Sequence, residues 1–265
     1  MKYKLLLMLL AFPLNASGFD VSSFSDFSKE KKVMIANISG LSAITAWGVA
    51  NWDYFSRSPS VKDEGWFADN TKEGGADKLG HFYLGYTLSH LLGSACKYWG
   101  YSDSKGALLG SLSSFAIMSW MEIGDSFSDY GFSHEDFIMN GIGAAAAYLI
   151  KTNPELSKKI DFRAEYTPAF DSIDFFTDYE HLKYLVALKL DGFESITQKY
   201  LRYLELHLGY YARGYSGQGD QERNIYVGLG INISRILKDA SMDRLSILTS
   251  YIQIPYTCIS IEKER

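Results

Sequence analysis

The 265-residue sequence has little proline, little cysteine and no excess of positive charge. None of its five prolines lies between Pro59 and Pro154, so helices in that part of the chain can run without interruption. The two cysteines, Cys96 and Cys258, are too few for a disulfide scaffold or a zinc ribbon. The formal net charge of −5 disfavours nucleic acid as a partner, because nucleic-acid-binding proteins present a basic surface.

Common catalytic and nucleotide-binding motifs are also missing. The sequence has no P-loop, no dinucleotide-binding fingerprint, no H-E-x-x-H motif and no G-x-S-x-G motif. We therefore expect no nucleotide ligand. Hydrophobic residues make up 47% of the chain and charged residues 22%, which excludes disorder and leaves ample apolar material for a core.

Residues 1–18 predict a secretory signal peptide. Lys2 and Lys4 precede the apolar run Leu5–Leu14, which is too short to span a bilayer. The small residues Ala16–Gly18 then suit cleavage by a signal peptidase. We therefore expect an exported protein of the periplasm or one associated with the outer membrane, with the inner membrane as the alternative.

Four further segments are apolar and lack aspartate, glutamate, lysine and arginine. Their lengths of 14 to 20 residues favour helices over strands. Asp103 is expected to cap the third helix, and Ser133 with Asp136 resembles a capping box for the fourth. The four segments are Val33–Trp52, Leu79–Cys96, Gly106–Met121 and Phe137–Ile150.

The distribution of lysines argues against four membrane-spanning helices behind a cleaved signal peptide. In that topology residues 122–136 would face the cytoplasm, yet they contain five acidic residues and no lysine or arginine. The flanks that would face outward carry six lysines, which is opposite to the positive-inside rule. We therefore expect a helical core in the periplasm or against a membrane. The six lysines are Lys29, Lys31, Lys32, Lys97, Lys105 and Lys151.

After Pro154 the hydrophobic pattern changes to a period of two residues, which is typical of strands. Strands are predicted over Leu182–Leu190, Leu201–Arg213 and Asn224–Ser234, with a turn at Ser216–Asp220. The predicted fold class is α+β, a bundle of about four apolar helices followed by a small antiparallel sheet. The predicted organisation is a signal peptide at 1–18, a helical bundle at 19–152 and a β-rich region at 153–265 packed on the bundle.

Polar residues recur at helical spacing near the ends of the apolar segments. Three pairs lie three or four positions apart, which places the members of each pair on one helical face. A hairpin of the third and fourth helices beside a second helix that begins at Asp77 brings the pairs to one end of the bundle. The candidate site residues are Asp77, Lys78, His81, Glu122, Asp125, Asp136 and Asn140.

This cluster has two functional interpretations. In the first, a divalent metal activates a water molecule for hydrolysis. Its predicted ligands are His81, Asp77, Glu122 and Asp125. In the second, crowded carboxylates raise one another's pKa and perform acid–base catalysis. The candidate catalytic residues are His81, Glu122, Asp125 and Asp136, with Asp77, Lys78 and Asn140 as binding residues.

A structural interpretation competes with both. Asp77 and Asp136 would then be helix N-terminal caps, and Lys78 would pair with a carboxylate. His81 and Asn140 would join helices through hydrogen bonds. Structural ion networks produce the same spacing as catalytic sites, so spacing alone does not separate these interpretations.

Three stretches around the cluster carry a family resemblance: Glu64–Phe67, Gly74–Phe82 and Tyr130–Asn140, with Glu122 and Asp125 between the last two. They resemble the YfiM-like family of predicted periplasmic lipoproteins, a domain of unknown function. The order D-K-x-x-H, E, D-x-x-x-N-x-x-G is also similar to the helices of VanZ-like membrane proteins. The resemblance implies an envelope location and no particular activity. The N-terminal lipobox of a lipoprotein is missing, so a lipid anchor is not expected from this sequence.

Two functions follow from these observations. The first is a non-enzymatic component of the bacterial cell envelope, periplasmic or membrane-associated, whose aromatic surface contacts a membrane or an envelope protein. The alternative is a metal-dependent or acid–base envelope hydrolase that acts on a lipid-linked or phosphorylated substrate.

Overall fold

A computed structural model describes residues 24–264 apart from 69, 168–176, 216 and 218–219. The predicted signal peptide at 1–18 lies outside the described residues, as does most of the predicted turn at 216–220. Both cysteines are free thiols.

Four long helices occupy the positions of the four apolar segments, in confirmation of the helix predictions. They are α1 (Lys29–Asn51), α2 (Ala76–Tyr98), α3 (Asp103–Ser126) and α4 (His134–Thr152). Two short strands, β1 (Val61–Lys62) and β2 (Phe132–Ser133), pair in parallel within the loops that connect them.

The helix starts differ in part from the predicted caps. Ser102 caps α3, because its hydroxyl oxygen accepts a hydrogen bond from the Lys105 amide, so Asp103 is already the first helical residue. Ser133 caps α4 as expected by accepting a hydrogen bond from the Asp136 amide. Gly75 precedes α2 with a φ of 86°, which favours glycine. Asp77 therefore lies within the first turn of α2 and does not cap it.

Small residues let α2 approach both α3 and α4 closely. A Cβ atom at Gly85 would lie 2.8 Å from the Asn140 carbonyl oxygen, and one at Gly110 would lie 2.5 Å from the Gly93 Cα. This close packing fixes the relative positions of the polar residues at the helix ends. Helix α1 packs mainly against α3, at the edge of the bundle.

Two of the described helices, α1 and α3, are long and apolar enough to cross a membrane by length and composition. They differ in burial. Gly48 is the one residue of α1 that is fully buried, whereas about half of the apolar window of α3 is buried inside the protein. Helix α3 thus has a core to pack into, whereas about half of the residues of α1 are exposed and most of the others are only partly buried.

The rest of the described chain forms a six-stranded sheet with three short helices. After α5 (Pro154–Lys159) come β3 (Ile160–Tyr166), β4 (Leu182–Lys189), β5 (Leu204–Arg213), β6 (Glu222–Ile231), α6 (Ile233–Asp239), α7 (Asp243–Leu248), β7 (Ile252–Gln253) and β8 (Cys258–Glu264). The strand order is β7-β3-β4-β5-β6-β8, antiparallel except for the β3–β7 pair. The α+β prediction is confirmed, with a larger sheet than expected. Strand β3 was not predicted, although apolar and charged residues alternate strictly along Ile160–Tyr166.

The polar face of the sheet is buried, whereas much of its apolar face is exposed. The register aligns Phe162, Val186, Leu208, Val227 and Ile261 on one face. This face packs on α2 at the β3–β4 side, through contacts such as a Phe162–Phe82 ring pair at 4.9 Å. On β5, β6 and β8 it is open, and the Ile261 residue is 84% exposed.

Candidate functional site

The site is built around an ammonium group in the first turn of α2. The Lys78 side chain is fully buried, and its Nζ lies 2.6 Å from Glu64 Oε2, 2.9 Å from Asp77 Oδ2 and 3.0 Å from Asp136 Oδ1. Burial lowers the pKa of Lys78, but the carboxylates of Asp77 and Asp136 outweigh it and raise that pKa above its usual value. Lys78 is therefore a permanent internal cation for three carboxylates.

His81 lies one turn later on α2 and joins the three central helices. Its Nδ1 is 3.2 Å from Asn140 Oδ1 and 3.3 Å from Glu122 Oε1, and its Nε2 is 3.8 Å from Asp136 Oδ2. The Asn140 amide nitrogen donates to Glu122 Oε1 at 3.5 Å. The structure thus brings together residues that the sequence separates by up to 59 positions.

Three carboxyl groups of the site are protonated more readily than usual. The Glu122 residue is 1% exposed, and burial, followed by repulsion from Asp136 and Asp125, raises its pKa well above the usual value. Burial likewise raises the pKa of Asp125 to about 7 and outweighs a stabilising hydrogen bond from Tyr54. Burial also raises the pKa of Asp136, against the opposing charges of His81 and Lys78. Asp125 can therefore exchange a proton near neutral pH, as acid–base catalysis requires.

Two groups of side chains have the spacing of a metal site. In one, ligand atoms of His81, Glu122 and Asp136 all lie within 4.8 Å of one another; in the other, Glu64, Asp77 and Asp136 do so. The second group already surrounds the Lys78 ammonium, so the first is the one that can accept a cation. An imidazole and two carboxylates suit zinc, manganese or iron.

The predicted site residues therefore divide by geometry. His81, Glu122, Asp136 and Asn140 form one contact group. Asp77 accepts hydrogen bonds from the Lys78 amide at Oδ1 and from the Lys78 ammonium group at Oδ2, so both of its oxygens are engaged by Lys78. Asp125 lies one turn beyond Glu122 on the wall of the same cavity. The catalytic and ligand roles of these residues stay predictions.

Sequence reasoning missed two members of the site. Glu64 lies in the loop before α2. It belongs to a stretch that carries the family resemblance, but no role in the site was predicted for it. Tyr54 was not predicted; its hydroxyl donates to the Met121 carbonyl at 3.0 Å and its ring packs against Gly48 and Gly124. Both residues lie in loops, so the spacing of polar residues along a helix could not identify them.

A cavity of about 990 Å³ opens onto the cluster. Its polar end is formed by the cluster, and mainly apolar side chains of α1, α2, α3 and the C-terminal region form the rest, together with Thr87, His90 and Ser94. A second cavity of about 660 Å³ lies between α2, α4 and the apolar face of the sheet, and no acidic residue or histidine lines it. Of the described residues that line either cavity, all the acidic residues and histidines thus lie on the larger one.

The sheet contains a second buried ionic cluster. Arg163 binds Glu205 at 2.6 Å and Asp161 at 2.8 Å, and His207 Nε2 lies 2.8 Å from Glu205 Oε1. Gln253 accepts a further hydrogen bond from Arg163 at 3.0 Å. Arg163 lines the smaller cavity, and none of the acidic residues of this cluster lines either cavity.

The comparisons with known proteins agree with the predicted resemblance. Residues 63–152 match the model of a family described as "Predicted periplasmic lipoprotein (DUF2279)". This segment contains α2, α3, α4 and every residue of the cluster around Lys78 and His81. No curated protein and no solved structure matches the chain. The family match supports an exported, periplasmic location and gives no activity.

Proposed function

We propose that this chain is an envelope hydrolase whose reaction centre is the group His81, Glu122 and Asp136. One observation carries the proposal: three side chains from three different helices place ligand atoms within 4.8 Å of one another, beside a large cavity. A divalent cation held there would supply a nucleophilic water at neutral pH and polarise the bond to be cleaved.

The surrounding residues support this chemistry in distinct ways. Asn140 contacts both His81 and Glu122, so it fixes the orientation of the imidazole and the carboxyl group. Lys78 contacts both oxygens of Asp136, at 3.0 and 3.1 Å, and so holds this carboxylate in place with Oδ2 3.8 Å from His81 Nε2. Asp125, with its pKa raised to about 7 by burial, is suited to accept a proton from the attacking water and to return it to the leaving group.

A hydrolysis assay with simple phosphate and carboxylate esters, with added Mn²⁺ or Zn²⁺, tests the proposal. We expect turnover by the wild-type protein that depends on the metal and is lost in His81→Ala and Glu122→Gln. His134→Ala is the matched control, because His134 is exposed at the start of α4. Metal-independent turnover would favour the acid–base alternative, and turnover that survives both substitutions would reject the site.

A second function is favoured by α1. An apolar helix with one buried residue suits a non-enzymatic, membrane-associated envelope component that contacts a membrane surface or an envelope protein. Flotation of the purified protein with phospholipid vesicles tests this function, with Ile38→Glu as the disruptive variant because Ile38 is 54% exposed on α1. Membrane fractionation separates the outer-membrane from the inner-membrane location. Protein that neither floats nor sediments with membranes would reject the second function.

A further inference from the structure

The floor of the large cavity is a single stripe of helix α2. His81, Leu84, Leu88 and Leu91 follow one another at intervals of three, four and three residues, so they lie on one helical face. The stripe continues to Ser94, which makes it about 20 Å long by the rise of an α-helix. It begins at the ionic cluster and becomes apolar within one turn.

The walls of the cavity beyond the cluster are also mainly apolar. Helix α1 contributes Ile44, α3 contributes Met118 and Met121, and the C-terminal region contributes Ile247 and Ile252. Far from the cluster the groove is open to the surroundings, since the Leu91 residue on its floor is 67% exposed. The cavity is therefore amphipathic along its length, with the carboxyl groups at one end and a mainly apolar lining, interrupted by Thr87, His90 and Ser94, at the other.

We infer that this groove binds a single-chain lipid, with the hydrocarbon chain along the α2 stripe and a phosphate head group at the His81 cluster. The assignment of the head group rests on the proposed function, because an anionic head beside so many carboxylates needs the bound cation. A peptide is a poor occupant, since its backbone amides and carbonyls would need hydrogen-bond partners that the leucines and methionines cannot supply.

The groove is continuous with the exposed apolar surface of α1. Ile44 lies in the uncharged stretch Val33–Trp52 and also lines the groove, and Trp52 lines the same cavity. Tryptophan is enriched where hydrocarbon meets water at a membrane surface. This continuity offers a lipid chain an apolar route between a membrane and the groove, which a water-soluble substrate would not need.

Binding of an n-alkyl phosphate series in the presence of Mn²⁺ tests the inference. The series runs from butyl to dodecyl phosphate below the micellar concentrations, with affinities from isothermal titration calorimetry. We expect affinity to rise about fourfold for each added methylene until the groove is full, the equivalent of about 0.8 kcal/mol per buried CH₂. Leu88→Trp fills the groove and should abolish this dependence while butyl phosphate binds as before.

Controls separate the groove from general hydrophobic binding. Leu112→Trp is the matched variant, because Leu112 is 56% exposed on α3 and does not line the cavity. It should leave the chain-length dependence intact. Thr87→Leu, on the same face of α2, is a second groove variant if Leu88→Trp fails to fold.

Three results would overturn the inference: equal affinity for short and long chains, a chain-length dependence that survives in folded groove variants, or preferential metal-independent binding of dodecylamine. A chain-length dependence that the groove variants abolish, but without metal dependence or turnover, would have a different meaning. It would reject the proposed hydrolase and the cation-held phosphate, while the lipid-chain groove itself would stand.

Discussion

The protein contains two buried ionic clusters of similar composition and opposite electrostatic balance. In the sheet, hydrogen bonds from His207 and Arg163 outweigh the effect of burial and lower the pKa of Glu205. In the bundle, burial raises the pKa of Glu122, and no cation among the described residues lies against it closely enough to reverse the shift. In the sheet cluster Arg163 and Lys189 pair with the two carboxylates, and Arg163 Nε and His207 Nδ1 are left without a hydrogen-bond partner in the part of the chain that the structure describes. The bundle cluster keeps an excess of carboxyl groups.

Access to the surroundings separates the two clusters as well. The carboxyl groups of the bundle cluster line a cavity of about 990 Å³, and those of the sheet cluster line neither cavity. A balanced, enclosed network is what folding stability and specificity require. An unbalanced cluster on a cavity is costly to the fold and is typical of functional sites. The comparison therefore favours a structural role for the sheet cluster and supports the proposal of a functional role for the bundle cluster.

The largest expected effect is in the sheet. Arg163→Met leaves the buried Glu205 carboxylate without its guanidinium partner, so we expect the free energy of unfolding to fall by about 3–5 kcal/mol. Urea denaturation measures this loss. Lys97→Met breaks the exposed Lys97–Asp103 ion pair as a control and should change little. An equally small effect of Arg163→Met would remove the structural role assigned to the sheet cluster.

A smaller loss is expected for Asp136→Ala in the bundle. Lys78 loses one of three carboxylate partners, and we expect about 1–3 kcal/mol of destabilisation because Glu64 and Asp77 remain. The cap of α4 should persist, since Ser133 accepts its hydrogen bond from the Asp136 backbone amide. Thermal melts of Asp136→Ala beside Ser133→Ala separate the two contributions. No loss of stability in Asp136→Ala would argue against the Lys78 ion pair.

The raised pKa of Asp125 predicts a pH dependence of stability. The folded protein holds this proton up to about pH 7, whereas the unfolded chain releases it near pH 4, so the folded state binds more protons between these values. The free energy of unfolding therefore falls as the pH rises from about 4 to 7, by up to about 1.4 kcal/mol per pH unit from this group. Asp125→Asn should flatten the profile in part, because burial also raises the pKa of Glu73 to about 7. An unchanged slope would contradict the assigned shift.

The smallest effect on stability is expected for Glu122→Gln. This carboxyl group already favours its protonated form, and glutamine preserves its shape and its hydrogen bond from Asn140. We expect a change of less than about 0.5 kcal/mol in the free energy of unfolding, together with loss of hydrolysis. Melting curves and turnover should be measured on the same preparation. A large loss of stability with normal turnover would assign Glu122 to the structural network.

The helical part of the fold and much of the site were predictable because helical periodicity is local. Residues three or four apart on α2, α3 and α4 share a face whatever surrounds them, so His81, Glu122 and Asp136 were predicted to meet. Glu64 and Tyr54 come from loops, whose course depends on tertiary packing. The strands raised a different problem. The alternation of apolar and polar residues in β5 and β6 was visible in the sequence. Which face of the sheet is buried depends on tertiary packing, and in this protein it is the polar face.

The central claim is that the bundle cluster binds a ligand and the sheet cluster does not. Isothermal titration of the purified protein with Mn²⁺ tests it most directly, with His81→Ala and His207→Gln as the paired variants. We predict one binding site in the wild type, absent in His81→Ala and retained in folded His207→Gln. No binding by the wild type, or binding that survives in His81→Ala, would contradict the account.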